Sequence, residues 1–583
     1  MKIVSLITKE IYEITASRNG ENYMPCPECS KHRKHQKAKC FSWNNEKMAG
    51  KCHNCDASFV IHNPSEKEKE FTAPVWKNKT GLTEGAAKWF EGRMISQKVL
   101  NDMKVYSDVE YMPQLLKETT VICFPFFKDG NLVNIKYRTG NKEFKLVSGA
   151  ELILYNIDSI KDSNEVIFVE GEIDCLSYIS VGFKNVVSVP NGASSKLDFL
   201  DKCFELFETK EKIYLATDND SPGITLRDEL LRRFGNEKCL IVNFKDCKDA
   251  NEYLVKKGGI ALKETIKDAI ELPVKGIVNL SIQYDSIYNL YINGMQKAAT
   301  IDISELDNIV SWELGRLAIV TGIPSHGKSE FVDFVVTKLN VIQGWKAAYF
   351  SPENFPIMYH FSKLCSKITG HEFNAGYLKL PDFQEAFEYI KENFFFIYPE
   401  DDMSFISIID KAKYLVKKRG IKILVIDPYN KIEHLKEKGE NETEYISRLL
   451  DKLVTFSRTY NVLVFLVAHP RKMQKDVTGK YEAPNLYDIN GSANFYNKCD
   501  YGISIYRMRN ENEVHIHVLK VKFKHLGDGG TIQMKYNYRN GRYERFESDV
   551  NQWDNSNYLL HKAIEAQSEE SFQAIIDKTD IPF

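Results

Sequence analysis

The residues best suited to chemistry in this 583-residue sequence are three acids and a glycine-rich loop. Glu170 opens EGEID (170–174), and Asp218 and Asp220 lie in TDND (217–220), each segment following a strand-like apolar run, EVIFV or KIYLA. Carboxylates that converge at strand ends can hold one or two Mg²⁺ or Mn²⁺ ions, which would activate a 3′-hydroxyl and neutralise the triphosphate it attacks. Glu172 and Asp174 are secondary candidates, and KDCKDANEYL (245–254) adds Asp249. A DxD alone is a common solvated loop, so the weight rests on the three acidic segments occurring in this order. In GIPSHGKS (322–329), Gly322 and Gly327 let backbone N–H groups wrap phosphates, Lys328 reaches the β and γ oxygens, and Ser329 ligates Mg²⁺. The loop follows the strand-like LAIVT and precedes the helical SEFVDFVVTKL, the context this motif needs. KILVIDP (422–428) ends a further apolar run in Asp427, placed to support that Mg²⁺. Nucleotidyl transfer and nucleoside-triphosphate hydrolysis are therefore both expected of one chain.

A third pattern is made of sulfur. CPEC (26–29) and CHNC (52–55) supply Cys26, Cys29, Cys52 and Cys55, two thiolate pairs separated by 22 residues, as tetrahedral Zn²⁺ prefers. The segment between them alternates around a turn, which predicts a zinc ribbon. Its basic loop SKHRKHQKAK (30–39) suits phosphate contacts or a solvated face equally well. The other eight cysteines are scattered and read as reduced residues.

These groups need elements to hold them. The chain is too long for one core, and two large domains plus a small module are expected. Apolar residues at 43% are ordinary for a soluble protein, and no run of about eighteen of them occurs. Charges interrupt the first twenty residues where a signal peptide would be apolar, so a reducing cytoplasm is expected. A formal net charge of −2 leaves nucleic-acid binding to local basic stripes. The pattern predicts an α/β multidomain protein: a zinc ribbon over 1–62, a linker over 63–81, and a domain over 82–262 whose parallel α/β core spans about 164–256. A linker and interface helix (263–296), a second α/β domain (297–548) and an acidic tail (549–583) complete it.

EGEID followed by a DxD strand resembles the Toprim fold of bacterial primases, topoisomerases and some nucleases. With the cysteine ribbon ahead and GIPSHGKS behind, residues 20–545 resemble the bifunctional phage primase–helicases, relatives of the mitochondrial helicase Twinkle. The resemblance implies a Toprim primase domain joined to a RecA-like motor. It implies that Lys136, Arg138 and Lys142 in NIKYRTGNKEF hold nucleotide and primer, that Glu353 in YFSPEN polarises the attacking water, and that His469 senses the γ-phosphate. LYDINGSANFYNKCD (486–500) resembles the DNA-contacting loop, with Gly491, Ser492, Asn494 and Lys498. Lys520 and Lys522 match the basic pair that reaches the neighbouring subunit's nucleotide. The family's second residue is arginine, so the finger is either lysine here or another residue such as Arg507.

The same resemblance implies a hexameric ring with SIQYDSIYNLYINGM (281–295) packing on the adjacent motor, single-stranded and forked DNA as partners, and ATP or dTTP with ribonucleoside triphosphates as substrates. The terminal Asp-Ile-Pro-Phe, with Asp580 and Phe583, resembles tails that recruit a replicative polymerase or another replisome protein. The single-chain fusion suggests a phage in a bacterial cytoplasm. The alternatives are a helicase with a silent primase half, a DNA-binding loader or scaffold that does not unwind, and a nuclease using the acidic centre.

Overall fold

The computed structural model describes residues 2–5, 11–16, 20–33, 36–45, 49–55, 57–61, 71, 74, 81–192, 197–271, 280, 284–398, 402–434, 436–437, 439–474, 481–489, 493–508, 512–546 and 553–560. Most of the linker expected over 63–81 lies outside them, as do Gly491, Ser492, Asp580 and Phe583.

The chain divides into two compact units, Met1–Thr72 and Ala73–Phe583. The first is a six-stranded antiparallel sheet in the order Ile11–Glu13, Lys2–Ser5, Ser58–Ile61, Ala49–Cys52, Phe41–Asn44, Glu21–Met24. Alternation in Phe41–Asn44 puts Phe41 and Trp43 inside, where Phe41 meets Phe59 edge-on at 4.9 Å.

Three sheets build the second unit. An antiparallel sheet runs Phe144–Leu146, Asn131–Arg138, Lys117–Lys128, Tyr106–Met112. Beside it, a five-stranded sheet runs Val186–Ser188, Glu165–Val169, Lys212–Ala216, Cys239–Ile241, Ile270–Glu271, parallel except for the last strand. Its second strand, EVIFV, lies between two parallel neighbours and is apolar on both faces because helices cover both, and the parallel register pairs Val169 with Ala216. Glu170 and Asp218 therefore emerge at the same sheet edge.

The third sheet has nine strands, of which six are parallel: Phe394–Phe396, Ala347–Phe350, Ile423–Ile426, Leu463–Val467, Leu317–Gly322 and Tyr501–Arg507. Glu513–Val521, Gly530–Tyr536 and Tyr543–Arg545 extend it antiparallel. The strand Leu317–Gly322 is wholly buried between two parallel neighbours, and its carboxyl end delivers the phosphate loop to the helix Lys328–Gln343.

The two α/β halves meet in a buried polar clamp. From the helix Ser221–Phe234, Arg232 donates to the carbonyls of Ile421 (2.8 Å) and Gly420 (3.0 Å). Arg233 donates to Lys417 (2.9 Å) and Lys418 (2.8 Å) at the carboxyl end of the helix Phe405–Arg419. Those carbonyls are the unpaired, partly negative end of that helix, which cations satisfy. Glu229 and Asp201 pair with the two guanidiniums at 2.6 and 2.7 Å, and Lys346 of the motor half reaches Asp198 at 2.5 Å.

The segment 553–560, at the head of the acidic tail, packs on the second α/β domain. Trp553 and Leu559 are buried, and Arg542 ties it down through Asp554 (2.9 Å) and the carbonyl of Ser556 (2.7 Å). Among the described residues no helix is long and apolar enough to cross a membrane, and all twelve cysteines are free thiols.

Candidate functional sites

In the first α/β half, ligand oxygens of Glu170, Asp218 and Asp220 lie within 4.8 Å of one another. Gly223 makes room for this: a Cβ there would meet the Asp218 carbonyl oxygen at 2.3 Å. Asp220 also caps the following helix, accepting from the Gly223 N–H at 2.9 Å, so only part of its carboxylate faces the centre. Burial, then the charges of Glu170 and Asp249, push the Asp218 carboxyl up to about 7, with Lys248 opposing. So much negative charge in a half-buried site fits a divalent cation. Asp174 and Asp249 flank the trio rather than join it. Asp174 accepts from the Asn251 N–H at 3.0 Å, and its carboxyl is held well above the usual range by burial and by Asp249 and Asp218. Asp249 caps the helix Ala250–Lys257 through the Glu252 N–H at 2.7 Å. Both brace the centre.

The basic strand pair is more buried than a free nucleotide-holding surface would be. Lys136 is ion-paired to Glu172 at 2.9 Å with both side chains under a tenth exposed. Arg138 stacks over Trp89 at 4.6 Å, and Arg93 lies over the same ring at 4.4 Å. Burial and then Arg93 lower Arg138 to about 10. Lys142 sits exposed in a turn with φ 65°. Arg93, Trp89 and Lys248 were not singled out in the sequence; only the last, adjoining Asp249 in KDCKDANEYL, carried a local signal.

In the motor half a cavity of 250 Å³ opens over the phosphate loop. Gly322 has φ 150°, and a Cβ there would meet the Ile505 carbonyl oxygen at 2.4 Å; Gly327 has φ 94°. Lys328 donates to the carbonyls of Gly322 (2.9 Å) and Ile323 (3.1 Å), a placement that holds its ammonium at the loop's centre. Burial lowers it to about 8, against the attraction of Asp427 and Glu353. Asp427 is buried and raised to about 6 by that burial, with the Ser329 hydroxyl opposing and Asp333 adding. Glu353 stands in a short turn, Pro352–Asn354, at the end of the strand Ala347–Phe350 and lines the cavity with His469. His469 Nδ1 has no hydrogen-bond partner among the described residues, and burial, then Lys328, lower its pKa. It lines the cavity beside Lys328 and Glu353.

Two further residues complete this cavity, Arg507, a candidate in the sequence for the basic finger, and Lys363, which the sequence did not single out. Arg507 lies over the Tyr536 ring at 5.1 Å at the cavity wall, so it belongs to its own subunit's pocket. Lys363 also lines it, 3.1 Å from Glu330. Lys520 donates to the Tyr496 carbonyl at 2.6 Å, and Lys522 lies 3.3 Å from Asp500. Asn494 starts the helix Asn494–Lys498, whose Lys498 is held by Asp451 at 2.6 Å.

In the cysteine ribbon the four sulfurs lie within 4.8 Å of one another, with Cys26 to Cys55 at 3.9 Å and Cys29 to Cys52 at 3.7 Å. A tetrahedron with Zn–S bonds of about 2.3 Å has edges of about 3.8 Å, so the donor set fits zinc. Cys40 lies 3.6 Å from Cys52 outside the four.

A Toprim centre and a DnaB-like motor on one chain define a fused primase–helicase, an enzyme that uses nucleoside triphosphates and divalent metal. Residues 167–254 match the Toprim-like family and 299–548 match the DnaB-like helicase C terminal domain. The chain belongs to the family of the Twinkle homolog protein, chloroplastic/mitochondrial, of Arabidopsis thaliana, being 37% identical to it over 491 residues, 78% of this chain and 68% of that protein. It is also 37% identical over 207 residues to the Primase homolog protein of Arabidopsis thaliana, 32% of this chain and 60% of that one. With the DNA helicase/primase of Enterobacteria phage T3 it shares 23% identity over 438 residues, 72% of this chain and 76% of that protein.

Proposed function

We propose that the Toprim half joins ribonucleotides into short primers on single-stranded DNA, while the motor half hydrolyses ATP or dTTP to pull a strand of forked DNA through a homo-oligomeric ring. The observation that carries this is the placement of two phosphate-handling centres, each at the carboxyl edge of its own parallel sheet on one chain. Glu170, Asp218 and Asp220 would hold Mg²⁺ or Mn²⁺, which would supply activation of the primer 3′-hydroxyl and charge to offset the triphosphate. Asp174 and Asp249 fix the frame, the exposed Lys142 lines the approach of nucleotide and primer, and Lys136 and Arg138, paired with Glu172 and stacked on Trp89, hold the strand that carries it in place. Cys26, Cys29, Cys52 and Cys55 bind a structural zinc that holds the ribbon for template contact.

In the motor, the 322–329 loop cradles the triphosphate, Ser329 and Asp427 serve Mg²⁺, Glu353 orients the attacking water and His469 reads the γ-phosphate. The Arg507–Tyr536 stack offers a cation and an aromatic face to the base. Lys520 and Lys522 reach the neighbour's nucleotide. Support for the ring comes from two unmatched apolar surfaces. The helix Tyr284–Asn293 exposes Tyr284, Ile287, Tyr288, Tyr291 and Ile292, and the motor exposes Ile357, Met358, Tyr359, Tyr377 and Leu380. A contact between different faces of identical chains is head-to-tail and makes a ring where its rotation closes, and from the DnaB-like family of the motor we infer six subunits. The acidic tail recruits a replisome protein such as the polymerase, and a bacterial cytoplasm is the proposed setting.

The test is DNA-stimulated hydrolysis and fork unwinding by the wild type and by Glu353→Gln. Hydrolysis and unwinding lost together, with nucleotide binding kept, is the expected result. Nucleotide-dependent DNA binding without unwinding by the wild type would make the chain a loader.

A further inference from the structure

Lys248 stands against the acidic trio in a way no role above accounts for. Its ammonium lies 3.1 Å from Asp220 Oδ2 and 3.5 Å from Asp218 Oδ2, two of the three carboxylates that come together. Its backbone is pinned on both sides: the N–H donates to Glu252 Oε2 at 2.5 Å, and the carbonyl accepts from the Asn219 N–H at 2.8 Å. Asn219 lies between the two aspartates, and its side-chain amide donates to the Cys247 carbonyl at 2.9 Å, so the loop bearing Lys248 is stitched to the loop bearing the acids. The Lys248 side chain is nevertheless 57% exposed. The result is a pinned Cα carrying a solvent-exposed cation. The other lysine nearby, Lys136, is the opposite case, 8% exposed and committed to Glu172.

We propose that Lys248 is an exchangeable counter-ion of the Toprim centre, which yields its place between Asp218 and Asp220 to a divalent ion and then binds the triphosphate of the incoming nucleotide. This deepens the primase reading and rests on it. A monovalent ammonium and a divalent ion cannot share the same two carboxylate oxygens, and the higher charge wins them. The displaced ammonium cannot leave, because its Cα is held. Asp249 beside it already caps the next helix, which leaves the phosphate chain brought to the same acids as the anion for it to bind. In the transfer the primer 3′-oxygen bonds to the α-phosphorus, the bond from that phosphorus to the bridging oxygen breaks, and pyrophosphate leaves with the electron pair. The hydroxyl proton passes to water. Lys248 stays protonated throughout and donates to the leaving pyrophosphate oxygens, where charge accumulates.

The test uses the full chain with Lys248→Gln, which keeps a polar side chain one bond shorter and removes the charge, and Lys248→Arg, which keeps the charge. Mn²⁺ binding without nucleotide is followed by the spectrum of free Mn²⁺, with Asp218→Ala/Asp220→Ala identifying the signal from this centre. Primer synthesis gives kcat and KM for ribonucleotides. Lys248→Gln should bind Mn²⁺ several-fold tighter yet raise KM for ribonucleotides about tenfold, the scale of one lost charge-assisted contact, and Lys248→Arg should restore both toward wild type. Changes of opposite sign are the signature. Weaker or unchanged Mn²⁺ binding in Lys248→Gln would show that the lysine merely braces the acids and would overturn the proposal. A wild type that makes no primers would overturn the primase reading instead, leaving the Mn²⁺ comparison to decide the exchange.

Discussion

Glu353 and Lys328 share one small cavity but do different work, so their substitution should separate binding from chemistry. Lys328 sits at the centre of the phosphate loop and should be needed for nucleotide to bind at all, whereas Glu353, exposed at the end of its strand, contacts only the water side. Glu353→Gln is expected to lower kcat for hydrolysis by about 10²–10⁴, the usual contribution of a positioned base, with binding of a fluorescent nucleotide within a few-fold of wild type. Equal loss of binding would show that Glu353 holds the nucleotide instead. Gly322→Ala should abolish binding, because its Cβ would sit 2.4 Å from the Ile505 carbonyl oxygen in a backbone region that L-residues avoid. Glu170, Asp218, Asp220, the phosphate loop and the four cysteines were all legible in the sequence, since each lies in a short motif whose spacing states its chemistry. Lys248, Trp89 and the Arg507–Tyr536 stack were hidden because their partners are distant in sequence or because a lone lysine or arginine looks like any solvated charge. Lys136 was legible as basic but not as buried, since Glu172, its partner, lies 36 residues away.

Among the elements, the clamp between the two α/β halves carries the clearest energetic consequence. Arg233 is 2% exposed and donates to carbonyls of Lys417 and Lys418 as well as to Asp201, so Arg233→Ala strands those buried carbonyls and leaves the Asp201 carboxylate only its longer contacts to Lys346 (3.4 Å) and Arg419 (3.8 Å). A loss of about 3–5 kcal/mol is expected, read as a lower Tm or as separate melting of the two halves. A Tm unchanged within a degree would mean the clamp opens freely. Acid should act on the same contact. Burial opposes ionisation of Glu229, but Arg232, Lys422 and Arg233 outweigh it and hold its carboxyl below the usual range. A depressed carboxyl contributes its full stability above its unfolded pKa and loses it as pH falls through the folded one. The halves should therefore stay joined at neutral pH and uncouple only in the acid range, below about pH 4.3. The parallel strands were readable from their apolar runs, whereas the clamp was not, because its acceptors are backbone carbonyls and any sequence supplies those. Which part of the acidic tail packs down was hidden for the same kind of reason: the ties of residues 553–560 run through Arg542 outside it.

For the whole molecule, two exposed apolar surfaces and two centres make one machine only if the chain assembles. Tyr288→Asp/Tyr291→Asp on the helix Tyr284–Asn293 should give monomers by light scattering in the presence of nucleotide, with DNA-stimulated hydrolysis reduced at least tenfold and primer synthesis on single strands retained, because the Toprim centre is complete within one chain. Rings that persist in this variant would place the contact elsewhere. The central claim, that one chain carries two separable phosphate-handling centres, is tested most directly by primer synthesis. Labelled ribonucleotides, random-sequence single-stranded DNA and Mg²⁺ or Mn²⁺ would be given to the wild type, to Asp218→Ala/Asp220→Ala and to Lys328→Ala. Short oligoribonucleotides from the wild type and Lys328→Ala, and none from the acidic double variant, are predicted. No products from any of the three, with DNA-stimulated hydrolysis intact in the wild type, would contradict the account and leave a helicase carrying a silent primase half.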